Sequence, residues 1–148
     1  MKKILIIVFC ILTSCGYQPL YINKKISQMT FNQIQLTGDK KINSRITTAL
    51  SIIEKKNDEL NNLFIDSEEI ILETSKDSKG LVSTYKTNVR LTFTIKNKDQ
   101  ILKEKIFNES FSYNNKENKF DLIEYQKEVK KMLITKIIED LIIYINLK

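Results

Sequence analysis

The strict alternation between residues 85 and 95 constrains the fold more than any other feature of the chain. Every second residue there suits a core, and the residues between them are polar or charged. Successive side chains of a β-strand point to opposite faces of a sheet, so the pattern predicts a strand with one buried face and one solvated face. The expected buried set is Tyr85, Thr87, Val89, Leu91, Phe93 and Ile95, and the polar set is Lys86, Asn88, Arg90, Thr92 and Thr94.

A second strand precedes this one. The run EEIILET (68–74) is separated from it by the polar stretch SKDSKG, which ends at Gly80. Two such runs joined by a short turn-forming segment predict an antiparallel β-hairpin, here from Ile70 to Ile95. Its apolar face should point toward the helices of the domain.

A third strand is predicted after the turn NKDQ, in the segment ILKEKIFNESFSY (101–113). Phe107, Phe111 and Tyr113 share one face of it. The alternation slips around Lys105 and Ile106, and an extra residue in one strand is a common cause of such a slip. We therefore expect a β-bulge at that point.

Two segments have helical periodicity. Asp39 is a suitable N-cap for a helix that follows it, and Lys55 and Lys56 suit its C-terminal end. Its expected core stripe is Ile42, Ile46, Ala49, Leu50 and Ile53. A longer helix is predicted over 121–146, with the stripe Leu122, Tyr125, Val129, Leu133, Ile137, Leu141 and Ile145.

A second apolar stripe, Ile134, Ile138 and Ile142, lies beside the first on this long helix. Two interpretations are open. The wider face packs against both the first helix and the sheet, which we favour, or it forms a surface for a partner.

A short strand at 29–36 completes the pattern. The order strand, helix, three strands, helix (β-α-β-β-β-α) predicts an α+β two-layer sandwich, with a four-stranded sheet and two helices on one side. A chain of 148 residues suits a single domain, which we assign to 29–148.

The N-terminus resembles a bacterial lipoprotein signal. Lys2 and Lys3 precede an apolar segment that is shorter than the roughly 20 residues a spanning helix needs. Leu12-Thr13-Ser14-Cys15 then resembles a lipobox, so residues 1–14 are predicted to be a cleaved signal peptide, Cys15 the acylated first residue, and 15–28 a tether. Acyl chains on Cys15 would hold the chain on a membrane. The alternative is ordinary signal cleavage that leaves Cys15 free.

Enzymatic function is disfavoured because the chain contains no histidine, which is the usual general base near neutral pH and a common metal ligand. We expect no cofactor and no metal site. A hydrolase that uses only carboxylates, such as Glu68, Glu69 and Glu73, stays open, although no cleft is indicated for it. The net charge of +6 is almost all lysine and fits a compositional bias, and we expect no nucleic-acid partner.

The stretch Cys15-Gly16-Tyr17-Gln18-Pro19-Leu20-Tyr21 is similar to the start of mature LptE-family proteins, the lipopolysaccharide-assembly lipoproteins. The predicted element order also matches that family. The resemblance implies a lipid-anchored protein at the periplasmic face of the outer membrane, where Gly16 after the cysteine favours outer-membrane sorting. It also implies a role as plug and assembly factor of LptD, the β-barrel that inserts lipopolysaccharide into the outer leaflet, with direct lipopolysaccharide contact. The alternative is a lipoprotein scaffold of another envelope machine, such as barrel assembly or cell-wall synthesis.

Four basic residues are candidates for contact with lipopolysaccharide phosphates. Arg90 and Lys86 project from the polar face of the alternating strand, and Lys76 and Lys79 lie at the predicted hairpin tip. Arg90 is the strongest candidate, because a guanidinium binds phosphate in a bidentate manner and the chain has only one other arginine, Arg45. The competing interpretation is a solvated face of a lysine-rich protein.

Overall fold

The computed structural model describes residues 28–146. The predicted signal peptide (1–14), the lipidation site Cys15 and the tether, apart from Gln28, lie outside the described residues. The elements are β1 (Met29–Phe31), β2 (Ile34–Gly38), α1 (Lys40–Ala49), β3 (Ile52–Glu54), β4 (Asn62–Lys76), β5 (Val82–Asn97), β6 (Gln100–Asn114) and α2 (Lys119–Asn146).

The main sheet has four strands in the order β2-β4-β5-β6. β2 runs parallel to β4, whereas β4, β5 and β6 are antiparallel neighbours. β1 and β3 pair in parallel as a separate two-stranded sheet. The predicted α+β class, with a four-stranded sheet and two helices, is confirmed, and so is the hairpin, in which Ile70 pairs with Asn88 and Ile95 with Leu63.

Both helices cover the same face of the main sheet, and the core lies between the two layers. Of the side chains predicted to point inward from β5, Thr87, Val89, Leu91 and Phe93 are at 0% exposure, and Tyr85 and Ile95 are partly buried against the same core. Ile134 of the second helical stripe is also buried, and Ile138 and Ile142 pack against the same core, which supports the interpretation that the wider face is internal. The remaining core residues are mainly Ile42, Ile46, Leu50, Leu63, Ile65, Val129, Leu133, Ile137 and Leu141.

The first helix begins where the sequence predicts and ends earlier. Asp39 is its N-cap, since one carboxylate oxygen accepts hydrogen bonds from the backbone N–H groups of Lys41 and Ile42, at 2.8 and 3.0 Å. The predicted C-terminal end is wrong. The helix stops at Ala49, and Ser51 has a φ of +49°, which turns the chain into β3. Ile53 keeps a helical spacing in the sequence, yet it lies on β3 and is 43% exposed.

The single strand predicted over 29–36 is wrong as well, because the segment is split into β1 and β2. Asn32 lies at the break. Its backbone N–H donates to the carbonyl of Asn61, and its side chain bonds the side chain of Asn62 and the N–H of Asn57. These bonds fix the break, so β1 pairs with β3 and β2 pairs with β4.

The predicted β-bulge is misplaced. Pairing of β5 with β6 is continuous through Lys105 and Ile106, and the register shifts only between Ile95 and Lys96, opposite Leu102. β6 is an edge strand, so Lys105 can occupy its inner face and remain exposed. The alternation therefore fails there without any change in register. Phe107 and Tyr113 are buried as expected, whereas Phe111 is partly exposed.

Candidate functional site

A groove of about 490 Å³ lies between the two helices, above β4. Its lining combines five cationic side chains, one carboxylate and three isoleucines. The lining residues are Lys41, Arg45, Glu69, Ile71, Ile123, Gln126, Lys127, Lys130, Lys131 and Ile134. The groove thus has basic walls and apolar patches between them.

Helical spacing sets the cations in two rows. Lys41 and Arg45 are four residues apart on α1, and Lys127 and Lys131 are four residues apart on α2. Residues with this spacing lie on one face of a helix, one turn above each other. Because α1 and α2 pack side by side on the sheet, the two rows line the same groove.

Lys130 forms salt bridges with two carboxylates at the floor of the groove. Its ammonium lies 2.7 Å from a carboxylate oxygen of Asp39 and 2.5 Å from one of Glu69, and its side chain is only 17% exposed. Burial alone would lower the pKa of Lys130, but the two carboxylates outweigh burial and raise that pKa above its usual value. Lys130 therefore stays charged and joins the start of α1, β4 and α2.

The same contacts act on Asp39. Burial would raise the pKa of its carboxyl, but the Lys130 ammonium and the N–H groups of Ile42 and Lys41 favour the charged form and lower the pKa on balance. Asp39 is therefore both a helix cap and a partner of Lys130.

Other cations of the groove are available to a ligand. Lys127 forms an exposed pair with Glu124 at 2.6 Å. Within residues 28–146, no salt bridge involves Lys41, Arg45 or Lys131. A surplus of positive charge beside isoleucine side chains suits an anion that carries an apolar part.

The four basic residues predicted from the sequence lie elsewhere. Lys86 and Arg90 are on the open face of the sheet, on the side away from the helices. Arg90 stands directly across from Glu68 on the neighbouring strand, although no salt bridge joins the two side chains in the described structure. Lys76 and Lys79 are at the hairpin tip, at the end of β4 and in the turn that follows it. The four residues therefore occupy two surfaces, and neither is the groove.

The three candidate carboxylates do not share a site. Glu68 points to the open face of the sheet, whereas Glu69 is bonded to Lys130 on the helix side. Glu73 lies farther along β4 and is exposed. In the part of the chain that the structure describes, no cluster of three or more aspartate, glutamate, cysteine or histidine side chains could hold a metal ion.

No helix within residues 28–146 combines the length and the apolar character that crossing a membrane requires.

Solved structures of several bacterial lipoproteins are similar to this structure. The structure is similar to rare lipoprotein B from Shewanella oneidensis, with a TM-score of 0.59 at 16% sequence identity, covering 78% of this chain and 97% of that one. A minor lipoprotein from Acinetobacter baumannii gives a TM-score of 0.54 at 10% identity, covering 76% and 89% of the two chains. An uncharacterized lipoprotein B from Nitrosomonas europaea gives 0.52 at 11% identity, covering 84% and 88%.

No protein-family model and no curated protein sequence matches the chain. At these identities the likeness establishes a shared fold. The chain therefore has the fold of bacterial lipoproteins.

Proposed function

We propose that this chain is a lipoprotein, anchored by acyl chains on Cys15 at the periplasmic face of the outer membrane, that plugs an LptD-type β-barrel and assists its assembly. The barrel would insert lipopolysaccharide into the outer leaflet, and the chain would contact that lipid directly. One observation carries the proposal. The domain that follows a lipobox-like Leu12-Thr13-Ser14-Cys15 has the fold of bacterial lipoproteins. The named barrel rests on the resemblance of residues 15–21 to the start of LptE-family proteins.

The open face of the sheet is compatible with a position inside a water-lined barrel. No element of residues 28–146 packs on this face. Most of its side chains are polar, with both signs of charge, and Ile70, Leu72 and Ile106 are exposed apolar side chains among them. A mainly polar surface of this kind can stay hydrated against a polar wall. Among the side chains on this face are Gln35, Thr37, Asp66, Glu68, Lys86, Asn88, Arg90, Thr92, Glu104, Asn108, Ser110 and Ser112.

The groove between the helices is the better candidate for lipopolysaccharide contact. A lipid A headgroup combines phosphates with acyl chains, and the groove offers Arg45 and Lys131 close to Ile71 and Ile123. By contrast, Arg90 lies on the open face of the sheet, across from Glu68 and away from the cations that line the groove. We therefore place the main phosphate contact at Arg45 and keep Arg90 as the competing site.

Charge reversal separates the two sites. Arg45→Glu should weaken lipopolysaccharide binding about tenfold or more, since a lost charge-assisted contact costs about 1.5–3 kcal/mol. Arg90→Glu is the matched control, with the same substitution on the opposite side of the sheet. Binding of labelled lipopolysaccharide to both purified variants is the measurement. A loss in Arg90→Glu alone would move the contact to the open sheet face.

Depletion tests the assembly role. Cells that lack the chain should accumulate misassembled barrel and deliver little lipopolysaccharide to the surface. Barrel maturation can be followed by heat-modified mobility on gels, and delivery by surface labelling. Normal maturation without the chain would reject the proposal and favour a scaffold of another envelope machine.

The anchor has its own test. Mass spectrometry of the N-terminal peptide of the mature chain should find diacylglycerol on Cys15 and none of residues 1–14. An unmodified Cys15 thiol would refute the lipoprotein assignment, whatever the result of the depletion experiment.

A further inference from the structure

One edge of the main sheet is long and lacks a partner strand in the described structure. Among the strands of residues 28–146, β6 pairs only with β5, and no strand pairs with its other side. The opposite edge is formed by β2, which has only five residues, and by residues 68–76 of β4, which extend beyond β2 and carry three glutamates. Short edge strands offer little to a foreign strand, whereas a 15-residue edge such as β6 is a template for pairing.

The backbone groups that face this free edge can be identified. The N–H of Asn115 donates to the carbonyl of Ser83 on the β5 side, at 2.8 Å. Residues of an antiparallel strand alternate between bonding the neighbour and pointing away from it, so the odd-numbered residues of β6 face β5 and the even-numbered ones face outward. The hydroxyl of Tyr144 agrees with this, because it donates to the carbonyl of Glu104 from outside the sheet, at 3.2 Å.

Only the first part of the edge is protected. Lys103, Lys105 and the bulge at Leu102 are features that discourage strand pairing, and Tyr144 occupies the carbonyl of Glu104. From Ile106 to Asn114 the strand has no lysine, proline, glycine or bulge. Its one charged residue, Glu109, is already paired with Lys136 of α2 at 2.5 Å. The unprotected run is centred on Ser110.

We propose that this run pairs with the same run of a second copy of the chain, antiparallel and with a two-fold axis at Ser110. The pairing would join two four-stranded sheets into one sheet of eight strands. About ten outward backbone groups on each copy would gain partners. This inference is independent of the proposed function.

The side chains favour a second copy as the occupant. With the axis at Ser110, Phe107 of each copy stands opposite Tyr113 of the other, although these rings are only 7% and 6% exposed, and Glu109 stands opposite the more exposed Phe111. Aromatic pairs across strands are favourable, whereas like charges directly opposite are not. Moving the axis by one residue to Glu109 would place two carboxylates face to face. The alternation of aromatic and small polar residues in β6 is thus complementary to itself in this register.

A cysteine experiment tests the register. Ser110→Cys places two thiols directly across the axis, with Cα atoms about 5.5 Å apart, within reach of a disulfide. Ser112→Cys is the matched control on the same strand and face, because its two copies would be roughly 13 Å apart. Each is made in the full-length chain with Cys10→Ser and Cys15→Ser, purified in detergent and oxidised.

The expected result is a disulfide-linked dimer that forms about tenfold faster or more with Ser110→Cys than with Ser112→Cys, because only the former pair is held within bonding distance. Equal rates would indicate random collision or non-specific aggregation and overturn the proposal. So would the absence of a cross-link in both.

A lysine pair tests the association itself. Ser110→Lys would set two ammonium groups opposite each other, whereas Ser112→Lys would face Asn108 of the other copy. Both side chains are exposed, so neither change should disturb the monomer. Sedimentation of the full-length chain should give a dimer for the parent and for Ser112→Lys, and a monomer for Ser110→Lys. A monomeric parent chain would overturn the proposal.

Discussion

Replacing Lys130 with methionine should destabilise the domain much more than replacing an exposed lysine would. The substitution keeps most of the apolar stem and removes the ammonium that lies 2.7 Å from Asp39 and 2.5 Å from Glu69. The two carboxylates would then be left at most about 5 Å apart without a cation between them. Both are mostly buried, with side chains 25% and 20% exposed.

The magnitude follows from this exposure. Removing one partner of a fully buried pair costs about 3–5 kcal/mol, and an exposed pair contributes about 0–1 kcal/mol. The Lys130 network lies between these limits but nearer the first, so we expect a loss of about 2–3 kcal/mol in the free energy of unfolding. Lys127→Met is the matched control on the same helix, since its pair with Glu124 is exposed and should contribute less than about 0.5 kcal/mol.

Urea unfolding at pH 7, followed by the helical circular dichroism signal, measures both variants. Adding Asp39→Asn to Lys130→Met should recover part of the loss, because asparagine still caps the helix and one unpaired charge disappears. The reasoning is refuted if Lys130→Met costs no more than Lys127→Met.

Three further predictions concern stability, and unfolding experiments check them. Leu91→Ala should cost about 2–5 kcal/mol because Leu91 is fully buried, whereas Ile106→Ala on the open face of the sheet should cost below about 1 kcal/mol. A loss for Leu91→Ala no larger than that for Ile106→Ala would contradict this assignment of the two faces. Gly38→Ala should be much more damaging than Gly80→Ala. Both glycines have positive φ, but a Cβ at position 38 would meet the carbonyl oxygen of Ser67 at 1.8 Å, and one at position 80 meets nothing. Because folding lowers the pKa of Asp39, its contribution to the free energy of unfolding should be complete above about pH 4 and be lost as the pH falls through the folded-state pKa. The Asp39→Asn variant should not show this loss. An unchanged acid transition in that variant would contradict the assignment.

Where local rules decide the structure, the sequence was a good guide. The alternation around Leu91 predicted which side chains of β5 enter the core, and Asp39 predicted the start of α1. The end of α1 depends on tertiary contacts instead. Leu50 is buried and continues the helical spacing of the core stripe, yet Ser51 turns the chain because β3 pairs with β1. Periodicity alone cannot detect a three-residue strand whose partner lies 23 residues earlier.

The sequence alone does not predict the groove, for a related reason. Its two walls come from helices that are far apart in the sequence, and their packing side by side cannot be read from either one. A partial signal was present, since Lys41 with Arg45 and Lys127 with Lys131 each repeat at helical spacing. The chain has two arginines, and Arg45, not Arg90, is the one that lines the groove.

The most direct test of the proposed role is to purify the chain from membranes under native conditions and identify what accompanies it. A tag after Lys148 leaves Cys15 available for acylation. We expect an LptD-type β-barrel in the purified complex, and its loss when Cys15→Ala prevents anchoring at the membrane. Recovery of a cell-wall synthesis or barrel-assembly complex without that barrel would contradict the account.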